Sequence, residues 1–305
     1  MLRLGIIGAG GIASLHTHNI LSGKCPEVQL TAMADRKESR REWIRATVPN
    51  AAVFCEGSDL IASDTCDAVL IATPHYQHPT LAIEAFRHGK HVLCEKPAGV
   101  YTLQVRDMIA EADKHPELTF GMMFNQRTNC VYRKAKELID SGALGEIKRM
   151  IWVVDWYRTQ SYYDAGAWRA TWDGEGGGVL LNQCPHQLDL LQWLCGLPVR
   201  VRAACHEGKW HDIEVEDDVT AYLEFANGAT GTFIASTGDA LGENRLEIIG
   251  TRARIRIEND QLTLDTLGVD ERDWCPVCKE PFGVPDIQHE IVQDRKSTRL
   301  NSSHT

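Results

Sequence analysis

The apolar residues in the first half of the chain follow two alternating periods. Short apolar runs typical of buried strands alternate with segments whose apolar residues recur at helical spacing. The first run, Leu4 to Ile7, is followed by glycines and by a segment with Ile12, Leu15 and Ile20. Later predicted strands are VQLTAMAD, DAVLIATP, KHVLCEKP and LTFGMMFN, and later predicted helices are Leu81 to His88 and Leu103 to Ala112. This order predicts an α/β domain with a doubly wound parallel sheet of the Rossmann type.

The second half has a different pattern, in which apolar and polar residues alternate singly. Such segments run from Ile147 to Tyr157 and from Val199 to about Asp265, with glycine-rich turns such as Asn227-Gly228. They predict hairpins of a large, mostly antiparallel sheet in a second α/β domain. We therefore expect a Rossmann domain over residues 1–124 and a second domain over residues 125–293.

The charge and composition of the chain argue against several classes of binding partner. The chain has 305 residues and a formal net charge of -10 without a basic run in its body, which argues against nucleic acid and anionic membranes. No segment approaches the roughly 20 apolar residues of a membrane span, and no signal-peptide pattern begins the chain, so we expect a cytoplasmic protein. The ten cysteines are then expected to be reduced. Cys275 and Cys278 are expected to be free thiols, because the second pair of a zinc site is absent.

The last residues, DRKSTRLNSSHT, are polar and aperiodic. With permitted codons, Asp294 to His304 back-translate into a common sequencing-library adaptor. We expect residues 294–305 to be an assembly artefact and the native C-terminus to be missing, so they are excluded from fold reasoning.

The turn after the first predicted strand contains a dinucleotide-binding motif. Gly8, Gly10 and Ala13 fit G-x-G-x-x-G/A. The first glycine permits the turn, the second lets backbone approach a pyrophosphate, and the small third residue lets the helix pack on the strand. The phosphates are expected at the helix N-terminus, where Gly11 and Ile12 lie.

Asp35 ends the second predicted strand, 27 residues after Gly8, and Arg36 follows it. An acid in this place accepts a hydrogen bond from the adenosine ribose and favours NAD. Arg36 could instead stack on adenine or bind the 2′-phosphate of NADP. The motif predicts a nicotinamide cofactor and leaves both NAD and NADP open.

Three polar stretches follow predicted parallel strands, at the edge where such sheets bind ligands. They predict cofactor contacts from Thr73, Pro74, His78, Glu95, Lys96, Asn125 and Arg127. Lys96 is also a catalytic candidate, because it ends a buried strand and precedes a proline that fixes the backbone. An ammonium group held in this way can serve as an acid or a base.

Several stretches of the chain occur in the order and spacing of one family: GIIGAGGIA, ADR, ATPHYQH, CEKPAG and GGGVLLNQCPHQLDLLQWLCG. Together they resemble the glucose-fructose oxidoreductase/inositol dehydrogenase/MocA family up to about residue 293. The resemblance implies an NAD- or NADP-binding Rossmann domain and a C-terminal α/β domain with a large sheet. It also implies oxidation or reduction of a sugar, inositol or polyol, and a homo-oligomer, a dimer or tetramer, assembled through that sheet.

His186 is the second catalytic candidate. The glycines 176–178 are expected to be a flexible lead into a helix that places Asn182 and His186 on one face. The apolar positions expected to pack inward are Leu180, Leu181, Leu188, Leu191 and Leu194. His186 and Asp189 alone do not complete a zinc site, so no metal is expected.

In many family members the matching motif is D-x-x-x-H, and its aspartate, its histidine and the lysine of E-K-P form the catalytic group. By this resemblance Lys96 and His186 are catalytic, and position 182 departs from the motif because it is Asn182. An amide can bind a substrate hydroxyl or orient His186, but it cannot take a proton. Asp189 is expected to orient His186, contact substrate or serve local packing.

The stretch GAWRATWDGEGGG precedes this helix. The resemblance suggests that Trp168, Arg169 and Trp172 line the substrate pocket, since an aromatic face suits a sugar ring and arginine binds hydroxyls. Packing of the two tryptophans at the domain junction is the alternative.

These predictions combine into an NAD(P)-dependent dehydrogenase or reductase. His186, aided by Lys96, takes the proton of a hydroxyl while hydride passes to the nicotinamide. Two alternatives stay open: a glycosidase that oxidises its sugar transiently and eliminates the aglycone, and a cofactor-binding sensor without chemistry.

Overall fold

The chain folds into two compact units. A computed structural model describes residues 1–292, and the tail expected to be an artefact lies outside them. The first unit comprises Met1–Phe124 and Trp172–Gly176. The second comprises Asn125–Thr171 and the described chain from Gly177 onward.

A six-stranded parallel sheet forms the first unit, as the apolar pattern predicted. Strands β1 to β6 span Leu2–Ile7, Val28–Ala34, Ala52–Phe54, Ala68–Ile71, His91–Cys94 and Phe120–Met122. Helices α1 to α5 span Gly11–Leu21, Glu38–Thr47, Gly57–Ala62, His78–Arg87 and Thr102–Ala112. The strand order β3-β2-β1-β4-β5-β6 is that of a Rossmann sheet, which confirms the predicted fold class. The short elements β3, α2 and α3 were not predicted.

Helices cover both faces of this sheet, because neighbouring strand residues belong to two separate cores. In β4, Ile71 packs in the same core as Phe86 of α4, whereas Leu70 packs in the same core as Ile44 of α2. Burial on both faces explains why these strands are continuous apolar runs.

An eight-stranded sheet forms the second unit, in the order β14-β13-β12-β11-β7-β10-β9-β8. Strands β7 to β14 span Ile147–Asp155, Pro198–Glu207, Glu216–Phe225, Thr230–Ser236, Asn244–Gly250, Ala253–Glu258, Gln261–Leu267 and Ile287–Val292. Helices α6 to α9 span Cys130–Asp140, Gln160–Asp164, Pro185–Cys195 and Glu271–Trp274. β7 and β10 pair in parallel and the other neighbouring strands pair antiparallel, so the predicted mostly antiparallel sheet is confirmed.

Within residues 1–292, helices pack against one face of this second sheet. In β12, Ile255 and Ile257 are buried in a core that includes Leu194 of α8, whereas Arg254 and Arg256 are exposed. The alternation of burial along the strand is the period-two pattern of the sequence.

The segment that carries His186 differs from its prediction. Residues Val179–Gln183 form a π-helical turn, and α8 begins only after it. A π turn accommodates an extra residue, so positions before and after it fall on different faces. Leu188 was expected to pack inward, but it is 37% exposed, and Gln187 is buried instead. Leu191 and Leu194 are buried as predicted.

Helix α1 also packs through residues other than the large apolar ones. It buries Ala13 and Thr17, whereas Ile12 is 41% exposed. The small buried residue lets the helix approach the strand closely, as the dinucleotide motif requires.

Among residues 1–292, no helix is long and apolar enough to span a membrane. That part of the chain holds all ten cysteines, each as a free thiol. It contains no group of three or more His, Cys, Asp or Glu side chains arranged to hold a metal ion.

The two faces of β12 give a direct test of the fold. Ile255→Ala should lower the free energy of unfolding by about 2–5 kcal/mol, because it opens a cavity in the core. Arg254→Ala, one residue away on the exposed face, should cost less than about 1 kcal/mol, since it removes only a surface ion pair with Asp265. Chemical denaturation measures both, and equal losses would contradict the assigned faces.

Candidate functional site

The loop between β1 and α1 has the shape that the dinucleotide motif predicts. Gly8 has φ +91°, and a Cβ there would lie 2.5 Å from the carbonyl oxygen of Ala72, so glycine is required. A Cβ on Gly10 or Gly11 would meet no heavy atom within 4 Å. The loop therefore leaves room for a ligand at the N-terminus of α1, where backbone N–H groups and the helix dipole favour a pyrophosphate.

Asp35 lies beside this loop. Its carboxylate accepts hydrogen bonds from the backbone N–H groups of Ala9 and Lys37, each at 2.8 Å. The Arg36 side chain pairs with Glu56 instead. Its Nε lies 2.8 Å from Oε2 of Glu56, and the side chain is 71% exposed. The glycine loop and Asp35 together fit the phosphate and ribose groups of a dinucleotide.

Two buried contacts hold the residues on either side of Lys96. Glu95 is 5% exposed, and its Oε1 lies 2.7 Å from Nε2 of His16 on α1. On the other side, the carbonyl oxygen of Pro97 lies 2.7 Å from Nδ1 of His78. Lys96 itself is half-buried. Histidines from two different helices, α1 and α4, therefore bind the residues on either side of Lys96.

His78 is fully buried at the start of α4. Its Nε2 lies 2.8 Å from the carbonyl oxygen of Thr73, so both ring nitrogens face backbone carbonyls. Burial lowers the pKa of His78 below its ordinary value of 6.5, while the two carbonyl contacts act in the opposite direction. The imidazole links the loops that follow β4 and β5, and its predicted contact with the cofactor stays a prediction.

Thr73 and Pro74 follow β4, as expected for residues at the ligand edge of the sheet. The Oγ1 atom of Thr73 is buried and has no hydrogen-bond partner within residues 1–292. Buried polar atoms usually have a hydrogen-bond partner. The Thr73 hydroxyl can therefore donate a hydrogen bond to a ligand or accept one from it.

Two predicted site residues of the second unit bind each other. Nε and Nη2 of Arg127 lie 2.7 and 2.6 Å from the two carboxylate oxygens of Asp189. Asp189 is 8% exposed, and the Arg127 guanidinium also lies over the ring of Trp193. Asn125, two residues before Arg127 in the same turn, is exposed. The bidentate pair anchors α8 to the turn that contains Asn125 and Arg127.

The glycine segment before α8 is packed, so its predicted flexibility is wrong. The backbone N–H groups of Gly178 and Leu180 donate to the carboxylate of Glu216 at 2.9 and 3.1 Å. A Cβ on Gly178 would lie 1.9 Å from the backbone carbonyl oxygen of Glu216. A carboxylate at the start of a helical segment satisfies N–H groups that have no partner within it. Glu216 thus fixes the segment that carries Asn182 and His186.

A polar cluster in the second unit is centred on Tyr162 of α7, which the sequence analysis missed. Its hydroxyl accepts hydrogen bonds from Nη1 of Arg169 at 2.8 Å and from Nδ2 of Asn182 at 3.4 Å. The Arg169 guanidinium lies 4.5 Å from the centre of the Tyr162 ring and 4.8 Å from that of Trp168. The structure therefore brings Trp168, Arg169 and Asn182 together.

The remaining candidates lie in both units. His186 is half-buried at the start of α8, four residues after Asn182. Trp172 belongs to the first unit, is 45% exposed, and accepts a hydrogen bond from the Tyr76 hydroxyl through its carbonyl oxygen.

The Rossmann strand order, the open glycine loop and Asp35 define a dinucleotide-binding protein. Residues 2–122 match the profile of the oxidoreductase family with an NAD-binding Rossmann fold. Residues 132–256 match the profile of the GFO/IDH/MocA C-terminal domain. The chain belongs to the GFO/IDH/MocA family, as the sequence motifs predicted, and is an NAD-binding oxidoreductase of that type.

Individual relatives support this assignment. Myo-inositol 2-dehydrogenase of Thermotoga maritima is 26% identical over 280 residues, which cover 89% of this chain and 80% of that protein. D-glucoside 3-dehydrogenase of Escherichia coli is 28% identical over 247 residues, which cover 74% of this chain and 68% of that protein. The solved WlbA dehydrogenase of Bordetella pertussis, in complex with NADH and UDP-GlcNAcA, is 30% identical with a TM-score of 0.79. That match covers 84% of this chain and 77% of the solved one.

The burial of His78 predicts a pH dependence of stability. Because its folded-state pKa is below 6.5, the unfolded chain takes up the proton first as pH falls. The stability that His78 contributes is present above about pH 6.5 and is lost as pH falls through the folded pKa. Wild type should therefore be more stable than His78→Asn at about pH 7.5, and this difference in free energy of unfolding should become smaller as the pH is lowered to about 5. Denaturation at each pH measures it, and a constant difference would contradict the assignment.

Proposed function

We propose that the protein transfers a hydride between NAD and a hydroxyl-bearing carbon of a sugar, inositol or related polyol. The observation that carries this proposal is the open glycine loop with Asp35 beside it, because this arrangement fits a dinucleotide. The substrate class rests on the relatives, whose names specify myo-inositol and a D-glucoside.

In this proposal, different residues bind different parts of the cofactor. The N-terminus of α1, with Gly10 and Gly11, would hold the pyrophosphate, and Asp35 would accept from the adenosine ribose. The hydroxyl of Thr73 would bind a polar group of the cofactor. When bound, the nicotinamide supplies the acceptor for the hydride.

His186 and Lys96 carry the proton chemistry in this proposal. His186 takes the proton from the reacting hydroxyl, and the ammonium group of Lys96 holds the hydroxyl oxygen. As the C=O bond forms, the C–H bond breaks and the substrate loses one hydride and one proton. Asn182 takes no proton, and its amide binds Tyr162 instead. The contacts of Glu95 and Pro97 keep the backbone of Lys96 fixed, which lowers the cost of reaching the reacting geometry.

Asp35 also favours NAD over NADP. A 2′-phosphate on the ribose would lie beside a carboxylate, and like charges in contact are unfavourable. Arg36, the nearest candidate to offset this repulsion, is paired with Glu56. We therefore assign NAD as the preferred cofactor.

Assembly is a further part of the proposal. We expect copies of the chain to associate through the second sheet, as the family resemblance implies. Light scattering coupled to size-exclusion chromatography measures the resulting mass, and a monomer at all concentrations would oppose it.

Replacing Asp35 tests the choice of cofactor. Asp35→Ser should raise kcat/KM for NADP relative to NAD at least about tenfold, since relief of about 1.4 kcal/mol of repulsion corresponds to that factor. Asp59→Ser, which removes an exposed carboxylate of α3, is the matched control and should leave the ratio unchanged. Steady-state assays with both cofactors measure the ratio. A wild type that prefers NADP would contradict the assignment.

Replacing the proposed proton-transfer residues tests the chemistry. Lys96→Met or His186→Ala should lower kcat by a factor on the order of 10² to 10⁴ and leave NAD binding largely intact. Lys279→Met and His18→Ala remove exposed side chains of the same types and should have little effect. The absorbance of reduced nicotinamide, followed with a panel of polyols, sugars and aryl glycosides, measures turnover.

Two results would contradict the proposal. Unchanged turnover in both Lys96→Met and His186→Ala would remove their assigned roles. Release of aglycone from an aryl glycoside that needs NAD, without net reduction of NAD, would show the oxidation–elimination glycosidase instead.

A further inference from the structure

The Tyr162 cluster has an unusual charge for a site that binds neutral sugars. Two guanidinium groups lie against the ring of Tyr162: that of Arg169 at 4.5 Å and that of Arg158 at 5.2 Å from its centre. Within residues 1–292, neither arginine has a carboxylate oxygen within 4.0 Å. Asn182, the other neighbour of the Tyr162 hydroxyl, is neutral. The cluster therefore carries positive charge that pairs with no carboxylate of residues 1–292.

The hydrogen-bonding capacity that remains on Tyr162 and Arg169 is for donation. The Tyr162 oxygen already accepts from Arg169 and Asn182, so its own O–H is left to donate. The Arg169 side chain uses Nη1 in this contact and makes no other hydrogen bond with residues 1–292, so the remaining N–H groups of its planar guanidinium are available. Stacking on the rings of Tyr162 and Trp168 restrains the orientation of the Arg169 guanidinium group. Restrained donors with positive charge fit a group that only accepts, such as a carboxylate or a phosphate.

We propose that the substrate is an acidic sugar or polyol whose carboxylate or phosphate binds Arg169. This inference rests on the dehydrogenase function proposed above and specifies its substrate class. Arg169 and the Tyr162 hydroxyl donate to the acid, and Arg158, 5.2 Å from the centre of the Tyr162 ring, adds positive charge. Asn182 connects this cluster to the segment that carries His186, which is assigned to the reacting hydroxyl.

Nearby acidic residues oppose the binding of anions that do not contact Arg169 directly. The cavity beside Arg169, about 400 Å³ in volume, is also lined by Asp164, Asp212 and Glu214. These carboxylates disfavour an anion that is attracted only by general charge. Binding of the acid must therefore depend on direct contact with Arg169.

The experiment compares one neutral sugar with its two acidic forms: glucose, glucuronate and glucose 6-phosphate, each with NAD. The wild type should show a lower KM for one acidic form than for glucose. Arg169→Gln should raise that KM about 10- to 100-fold, as expected for loss of hydrogen bonds to a charged group, and should raise the KM for glucose by a clearly smaller factor, because glucose carries no charge. The acid that responds identifies carboxylate or phosphate as the recognised group.

Three variants complete the design. Arg106→Gln removes the charge of an exposed arginine on α5 and is the matched control. Arg169→Lys keeps the charge but loses the planar guanidinium, so it should restore only part of the binding. Tyr162→Phe keeps the ring and removes the hydroxyl, so it should raise the same KM by a smaller factor and tests the cluster even if Arg169→Gln fails to fold.

Equilibrium binding by calorimetry separates this inference from the dehydrogenase function. If no sugar is oxidised but glucuronate or glucose 6-phosphate binds the wild type and binds Arg169→Gln at least about tenfold more weakly, the inference stands without the proposed reaction. If the wild type oxidises glucose and neither acid binds better than glucose, the inference is overturned and the reaction stands. Equal weakening by Arg169→Gln and Arg106→Gln would also overturn it.

Discussion

Backbone N–H and C=O groups at the ends of strands and helices have no hydrogen-bond partners within their own element. The structure depends on the side chains that supply these partners. Asp35, directly after β2, accepts from the N–H groups of Ala9, which follows β1, and of Lys37. Glu216 accepts from two N–H groups where the π turn begins. His78 faces carbonyl oxygens that follow β4 and β5. The loops that carry the candidate site residues are fixed by these contacts.

The same contacts connect stability to function. A buried acid or imidazole costs free energy unless it is hydrogen-bonded, so each of these side chains keeps its backbone partners in one geometry. Around Lys96, the histidines on α1 and α4 hold Glu95 and Pro97, and the lysine between them has little backbone freedom. Positioning of this kind precedes any bound ligand, which is the condition for a catalytic group to act without reorganisation.

The sequence predicted the fold well because strand burial and glycine geometry are local properties. Continuous apolar runs identified the parallel strands, and Gly8 and Gly10 identified the loop that approaches a ligand. Packing partners were harder to predict, because they depend on residues far apart in the chain. Glu216 lies in the run EVEDD, which has the composition of a solvated segment, yet it is 8% exposed. Leu188 was assigned to the core because it is apolar, but the buried stripe of α8 runs through Gln187, Leu191 and Leu194, and Leu188 lies beside that stripe.

The departure at position 182 and the charge of the Tyr162 cluster have a common explanation. An aspartate at this position would place a carboxylate beside the hydroxyl that Arg169 also binds. That carboxylate would attract the guanidinium and neutralise much of its charge, since opposite charges at such distances interact strongly when partly buried. Asn182 keeps the hydrogen bond to Tyr162 without adding a negative charge. In the proposed reaction, Asn182 takes no proton and adds no negative charge, so the proton transfer is assigned to His186 and Lys96, and Arg169 stays available to an acidic ligand.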